Sequence, residues 1–534
     1  MKTSYLLTTL AAASLLAACG GGDSTSVNPP ARGALIQNPP PRLSFFTADD
    51  LTTKLNANVN GRNLLAIAGK PKCGVDVQYI KYGTVGGAGE ATDASGALMT
   101  PNGGPECTGK RPIVLYAHGT TTVKSYNMAN LIEETNAAYS EAVLVAAVYA
   151  AQGFIVVAPN YAGYDSSSLG YNPYLNADQE SKEMMDALSA ARKALPGLLQ
   201  PVQDNGKLFI TGYSQGGHAA MATHKAMQAA GQTVTASAPM SGPYALAAFS
   251  DAVYYGNVNL GGTVFTPLLT TSYQKAYGNL YQQPSDIYES AYASGIETLL
   301  PSDTPIATLT GPGGKLPKTA LFNRTPPTAP AGSPPALQMT LNAITPPTSP
   351  PALAPLFALG FGSNNLITNS SRLNYLLDAI ANPDGAVPAL TNGAPAANPG
   401  NPLRMATKKN DMRNWTPLRP MLLCAGSGDP TVFYNVNTQL MQGFWSSPSP
   451  AAVPAGLLTV LNVDSAPTSA ADPYATAKGG FAQAKAGAAV AAVAAGAADG
   501  GASAVTQAYH GTLVPPFCTA AARGFFQQVI AAGL

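Results

Sequence analysis

Charge is what this chain has least of. Of 534 residues only 11% are Asp, Glu, Lys or Arg, and the formal net charge is +1. No basic run and no acidic tail occurs, which excludes a nucleic-acid surface of clustered Lys and Arg. Histidine is scarce too. The four present, His118, His218, His224 and His510, show no HExxH-like spacing, so no metal site is expected. No G-x-G-x-x-G or Walker sequence follows a strand in the right context, so no nucleotide and no other cofactor is expected. Beyond the N-terminus, no stretch is long and apolar enough to cross a bilayer.

The N-terminus itself reads as an export signal. Met1-Lys2 supplies the positive start, Leu6 to Leu16 the apolar stretch, and Leu16-Ala17-Ala18-Cys19 the close. The Leu-Ala-Ala-Cys ending resembles a bacterial lipobox, which implies acylation of Cys19 and an outer-membrane lipid anchor. Ordinary cleavage after small residues, giving a periplasmic or secreted protein, is the alternative. Residues 1–19 are then the signal and 20–42 a flexible linker rich in Gly, Ser and Pro. Four further cysteines, Cys73, Cys107, Cys424 and Cys518, imply disulfides in an exported chain. Three pairings are open, and proximity favours Cys73–Cys107, leaving Cys424–Cys518.

What the chain does have is a series of short apolar runs alternating with helical patterns. Val75–Tyr82 and Gly96–Pro101 read as a hairpin. Arg111–Ala117, Phe154–Ala158, Lys207–Thr211 and Val234–Ala238 read as buried strands. Helices are expected over Ala142–Gln152 and Asp178–Leu195 between them. This spacing predicts an α/β fold with a mostly parallel sheet covered on both faces. At its centre stands Gly212-Tyr213-Ser214-Gln215-Gly216, between a strand and a helix. That context makes G-x-S-x-G a nucleophile elbow, with small flanks so that a strained Ser214 stands clear of the sheet. The alternation stops near Ser241. From 244 to 415 no strand series is visible, and a large helical, Pro-rich cap insertion is expected, with helices at Ile287–Leu300 and Ser371–Ala381. The core thus divides into 43–243 and 416–534. Strands resume at Pro420–Ala425 and Gly456–Val463, and helices are expected at Ala484–Ala498 and Phe517–Ala532.

A serine hydroxyl needs a base, and the base needs an acid to orient it. His510 follows the last strand, in the Ser-acid-His chain order of this fold. Asp429, just past a strand tip in Gly-Asp-Pro-Thr, is the first choice of acid, and Asp464 the competitor. The oxyanion amides expected are those of Gln215 and Thr120, with Thr121 second. If Cys424 pairs with Cys518, the bond braces the loops of acid and base.

Tyr116-Ala-His-Gly-Thr120, Gly153-Phe-Ile-Val-Val-Ala-Pro-Asn-Tyr-Ala-Gly163, Gly212-Tyr-Ser-Gln-Gly-Gly-His-Ala-Ala220 and Trp415-Thr-Pro-Leu-Arg-Pro420 together resemble the secretory lipase family of the lipase A type and related bacterial α/β-hydrolase esterases. The resemblance covers about 70 to 520. It implies hydrolysis of a small-molecule or lipid ester through Ser214, Asp429 and His510 and an acyl-enzyme, under a cap that lines the acyl pocket. Asn160 departs from the pattern, standing where many relatives have Asp. Other readings of the same residues are an extracellular polyester depolymerase, a serine peptidase, and a non-catalytic surface binding protein on a hydrolase scaffold. Acyl and alcohol preference and oligomeric state are not legible.

Overall fold

The structure is a computed structural model that describes residues 29–199, 202–446 and 451–533. The expected export signal, Cys19 and the first part of the expected linker lie outside the described residues. From residue 29 the expected linker is docked rather than free. Gly33 donates to the Gly83 carbonyl at 2.8 Å, and Arg32 pairs with Asp186 at 3.0 Å. Paired groups of this kind outweigh the freedom that Gly and Pro composition suggests.

Nine strands form one sheet in the order β1-β2-β3-β5-β4-β6-β7-β8-β9. They are β1 (Arg42–Phe46), β2 (Gly74–Val85), β3 (Ala91–Asn102), β4 (Gly109–Ala117), β5 (Ile155–Pro159), β6 (Val202–Tyr213), β7 (Ala236–Met240), β8 (Met421–Ala425) and β9 (Leu458–Asn462). β1, β2, β3 and β5 pair antiparallel, and from β5 to β9 every pairing is parallel. Central strands such as Ile155–Pro159 and Met421–Ala425 are buried along their whole length, because helices cover both faces. Their lack of apolar/polar alternation follows from that double cover. Helices α1 (Ala48–Asn56), α2 (Val59–Ala68), α3 (Tyr139–Val148), α4 (Ala177–Ala194) and α5 (Gln215–Ala229) belong to the first half of the core. Thr47 and Asp50 close a capping box on α1, as a Thr three residues before an acid predicts.

Between β7 and β8 lies the insertion, where the described residues add no strand to the sheet. It holds α6 (Leu246–Tyr254), α7 (Gly262–Tyr277), the single turns α8 (Ser290–Ala293) and α9 (Ile306–Leu309), then α10 (Pro335–Ala343), α11 (Ala354–Leu359), α12 (Asn369–Ala381) and α13 (Pro402–Lys409). The helix expected over Ser371–Ala381 is α12. The one expected over Ile287–Leu300 does not form as such. Gly295, at φ 75°, breaks it into α8 and a 3₁₀ turn. The insertion has its own core of Tyr and Leu side chains, in which Tyr254 and Tyr375 stack at 3.5 Å.

After β8 come α14 (Thr438–Ser446), α15 (Ala475–Ala494), α16 (Ala502–Ala508) and α17 (Val514–Ala531). α15 begins earlier than its Ala/Gly run indicates, because Ala-rich sequence carries no boundary signal. Disulfides join Cys73 to Cys107 and Cys424 to Cys518. The second closes 94 residues, for which loop-entropy arguments give about 4–5 kcal/mol.

Candidate active site

Ser214 sits at the turn from β6 into α5 with φ 59° and ψ −120°, a conformation that a side chain adopts only under constraint. Its two flanking glycines are required by space. A Cβ on Gly216 would collide with the carbonyl of Ala117, and one on Gly212 with the carbonyl of Gly216. Ser214 donates its own amide to Met240 at 2.9 Å, which holds the strained turn against β7.

Three side chains meet here, from the elbow turn, the loop after β8 and the π-helical turn between α16 and α17. Ser214 Oγ lies 2.8 Å from His510 Nε2, and His510 Nδ1 lies 2.6 Å from Asp429 Oδ2. A carboxylate can only accept, so Nδ1 carries the proton and Nε2 is left to accept from the serine hydroxyl. The other carboxylate oxygen of Asp429 accepts from the amides of Thr431 and Val432 at 2.9 and 3.0 Å. His510 is fixed from behind, its carbonyl accepting from the Tyr213 hydroxyl at 2.6 Å. Asp429 is 2% exposed, whereas Ser214 and His510 each keep 9%, so the reacting atoms face the open side and the acid does not. The Cys424–Cys518 bond anchors β8, just before Asp429, to α17, just after His510.

Gln215 and Thr120 line the same pocket as Ser214. Among the described residues, neither backbone amide donates to a protein acceptor, and Gln215 opens α5, where the helix dipole favours a negative charge. Thr120 Oγ1 shares a 3.2 Å hydrogen bond with the Tyr174 hydroxyl. The other three histidines are occupied elsewhere. His118 is buried, stacks on Tyr161 at 4.0 Å, and burial lowers its pKa. His218 bridges Glu180 at 2.8 Å and the Asn410 carbonyl at 2.9 Å, and His224 meets Ser237 at 2.8 Å. Asp464 turns to Tyr509 rather than to His510. Asn160 accepts from the Met128 amide and donates to Ser95, a loop-holding role that does not touch the site.

Two acids escaped the sequence reading. Glu141, in the first turn of α3, accepts from the Gly119 amide at 3.1 Å, the Tyr116 hydroxyl at 2.8 Å and the Tyr126 hydroxyl at 2.7 Å. It pins the loop that carries Thr120. Glu180 accepts from Gln215 Nε2 at 3.2 Å and the Leu175 amide at 3.1 Å beneath the elbow. Their partners are scattered in sequence, and only the fold brings them together.

Above Ser214 the insertion roofs a pocket that is partly open to solvent. Leu246, Phe249 and Val253 from α6 and Phe265 and Leu269 from α7 make its wall apolar. The roof is stitched to the site loops. Leu260 donates to the Pro430 carbonyl at 2.9 Å and Asn259 Nδ2 to the Thr431 carbonyl at 3.0 Å. Ser302 donates to the Thr122 carbonyl at 2.8 Å. Among the described residues, no group of three or more His, Cys, Asp and Glu could hold a metal, and no helix is long and apolar enough to span a membrane.

Comparison with known proteins comes to the same fold. The prolyl oligopeptidase family model matches residues 140–275, the stretch that carries the elbow. The solved structure of a rice cell wall degrading esterase, LipA from Xanthomonas oryzae, is similar at 25% identity, covering 84% of this chain and 95% of that one, with a TM-score of 0.58. A ligand-bound form of that esterase is 24% identical over 91% of this chain and 99% of that one, with a TM-score of 0.57. A putative hydrolase from Legionella pneumophila is 16% identical over 93% and 98%, with a TM-score of 0.58. No curated protein sequence matches significantly. These likenesses reach the level of hydrolases and esterases and do not single out the secretory lipase type. The mostly parallel nine-stranded sheet, the elbow and these neighbours identify the chain as a hydrolase of the α/β-hydrolase fold.

Proposed function

We propose that this hydrolase cleaves carboxylic esters through Ser214, His510 and Asp429. The observation that carries the reading is the continuous line from Ser214 Oγ through His510 to Asp429, at 2.8 and 2.6 Å, at the foot of an apolar, roofed pocket. His510 Nε2 takes the hydroxyl proton as Ser214 Oγ attacks the ester carbonyl. Asp429 stabilises the imidazolium that results. The amides of Gln215 and Thr120, free of protein acceptors among the described residues, receive the developing oxyanion. His510 then returns the proton to the leaving alcohol, and a water activated the same way releases the acid from the acyl-enzyme.

The apolar roof supports a substrate with a hydrocarbon acyl group rather than a polymer chain lying across an open groove. Hydrolysis of p-nitrophenyl esters from acetate to palmitate is the test, with Ser214→Ala as control. Activity that rises with acyl length and disappears in the variant is the expected result. Equal activity in both proteins sinks the nucleophile, and cleavage of peptides in preference to esters moves the reading to a peptidase. The two disulfides support an oxidising compartment and with it export; acylation at Cys19 is proposed from the Leu-Ala-Ala-Cys ending. Loss of palmitate incorporation in Cys19→Ser is the expected result for a lipoprotein, and unchanged fractionation of that variant counts against the anchor.

A further inference from the structure

Asp464 and Tyr509 stand beside the site without touching Ser214. Asp464 Oδ2 accepts from the Tyr509 hydroxyl at 2.6 Å. The same hydroxyl accepts from the amide of Gly428 at 2.9 Å. Gly428 is the residue before Asp429, and Tyr509 is the residue before His510. One phenol therefore connects the acid's loop to the base's loop, and a second carboxylate fixes the phenol's rotation.

The surroundings are shaped to this ring. A Cβ on Gly426 would lie 2.5 Å from the Tyr509 hydroxyl, and one on Gly428 3.0 Å from its ring, so both glycines of Gly-Ser-Gly-Asp make a shelf for it. Phe481 of α15 meets the ring at 5.4 Å, edge to face, and Lys485 of the same helix pairs with Asp464. The weakly patterned Ala-rich helix thus has a definite task, as the outer support of this contact. Tyr509 also opens a π-helical turn, Tyr509–Leu513, an irregularity that recurs at functional sites. Burial first, and the bond to Asp464 second, raise the phenol's pKa, so it stays a donor throughout the range in which proteins work.

We propose that Tyr509 is the positioning residue of the His510–Asp429 pair, its hydroxyl clipping the acid's loop to the base with Asp464 as anchor. The proposal rests on the ester-hydrolase reading above. The acid's loop carries two glycines, Gly426 and Gly428, on a short turn. Without the clip, the Gly428 amide loses its partner and the loop can shift relative to His510. A displacement of one ångström at such a pair is enough to cost two orders of magnitude in rate.

Tyr509→Phe keeps the ring on its shelf and removes only the hydroxyl. With p-nitrophenyl butyrate, its kcat falls about 10- to 100-fold while KM stays within about twofold of the original. The far-downfield proton resonance of the His510–Asp429 hydrogen bond weakens or moves upfield. Asp464→Leu produces the same kind of fall, and the double variant is no worse than the worse single, because both cut one clip. Asp464→Asn leaves an acceptor for the phenol and falls less than Asp464→Leu. An unchanged kcat and resonance in Tyr509→Phe overturn the proposal. So do strictly additive losses, or equal losses in the two Asp464 variants, which indicate packing defects alone. Ser214→Ala runs in parallel. If it remains active, the ester-hydrolase reading fails. If it is inactive while Tyr509→Phe is fully active, only the clip fails.

Discussion

The cap pairs its buried acids with buried arginines, whereas two glutamates beneath the elbow do without an arginine. In the cap insertion, Asp251 and Asp378 share Arg404, and Asp384 and Asp411 share Arg413. Arg413 is fully buried, with both carboxylates at 2.8 Å and a further bond to the Gly393 carbonyl. Beneath the elbow, by contrast, Glu180 meets a histidine, and Glu183 meets only neutral donors, Gln179 at 2.8 Å and Tyr82 at 3.4 Å. The difference follows from what each region is made of. Strands and helices of the core satisfy their own backbones, and only its few site loops, such as those held by Glu141 and Glu180, lean on a carboxylate. The cap is largely loop, and its turns are held by carboxylates that accept backbone amides, such as Ala247 to Asp411 and Gly400 to Asp378. Those carboxylates are then charged and buried, and arginine is the residue whose fork can satisfy two of them at once.

The largest expected effect comes from breaking that pairing. Arg413→Met keeps the volume and leaves Asp384 and Asp411 buried without a cation. Removing one partner of a buried pair costs about 3–5 kcal/mol, far more than the pair contributes when intact. Thermal unfolding followed by circular dichroism is the check. A loss under about 1 kcal/mol would mean that the carboxylates reach water or neutralise easily, and the contrast between cap and core would fall.

That contrast also explains how much could be read in advance. Strands such as Phe154–Ala158 are unbroken apolar runs between Gly and Pro, because both faces are covered, and such runs announce themselves. The order of Ser214, Asp429 and His510 along the chain is legible for a related reason, since Ser214 and Asp429 follow recognisable strand tips and His510 is the one histidine after the last strand. In the cap, α6 and α7 start without a side-chain cap, and Pro267 sits inside α7. The cap helix that was anticipated, α12, is one that begins at a capping residue, Thr368. Glu141 and Glu180 were invisible because an acid that serves a distant amide has no local signature. Asp429 and Asp464 both follow strands, and Asp429 is preferred in sequence because its strand is the penultimate one; the structure sets Asp429 against His510 and Asp464 against Tyr509.

A second test sharpens the core side. Burial raises Glu183 from 4.5 to about 8, opposed by the bonds from Gln179 and the Ala162 amide. The folded chain therefore keeps a proton that the unfolded chain loses. This group's contribution to stability is complete below about pH 4.5 and is lost as pH rises toward about 8. Glu183→Gln preserves an acceptor for Gln179 and cannot ionise. It is expected to match the original chain near pH 4.5 and to exceed it near pH 8, by on the order of a few kcal/mol. Denaturant midpoints across that range decide it. A parallel pH dependence in both proteins would mean that Glu183 is ionised in the fold, with a compensating partner.

The smallest effect asks whether the two regions melt together. Thr368 accepts from the Ser371 amide at 3.2 Å, and Thr368→Ala removes this cap at a cost of about 1 kcal/mol. Both tryptophans, Trp415 and Trp445, lie outside the cap's aromatic core, packed edge to face at 6.2 Å beside β8. Tryptophan fluorescence thus follows the seam where β8 packs against Ala248 and Ala252 of α6, while far-ultraviolet circular dichroism follows the helices of both regions. The stitches from the cap to Pro430, Thr431 and Thr122 couple it to two loops of the site, that of Asp429 and that of Thr120. With that coupling, Thr368→Ala moves both urea transitions by the same amount. If the dichroism transition moves and the fluorescence transition stays, the cap unfolds on its own. Its arginine pairs then stabilise the roof alone, and the site beneath keeps its geometry without them.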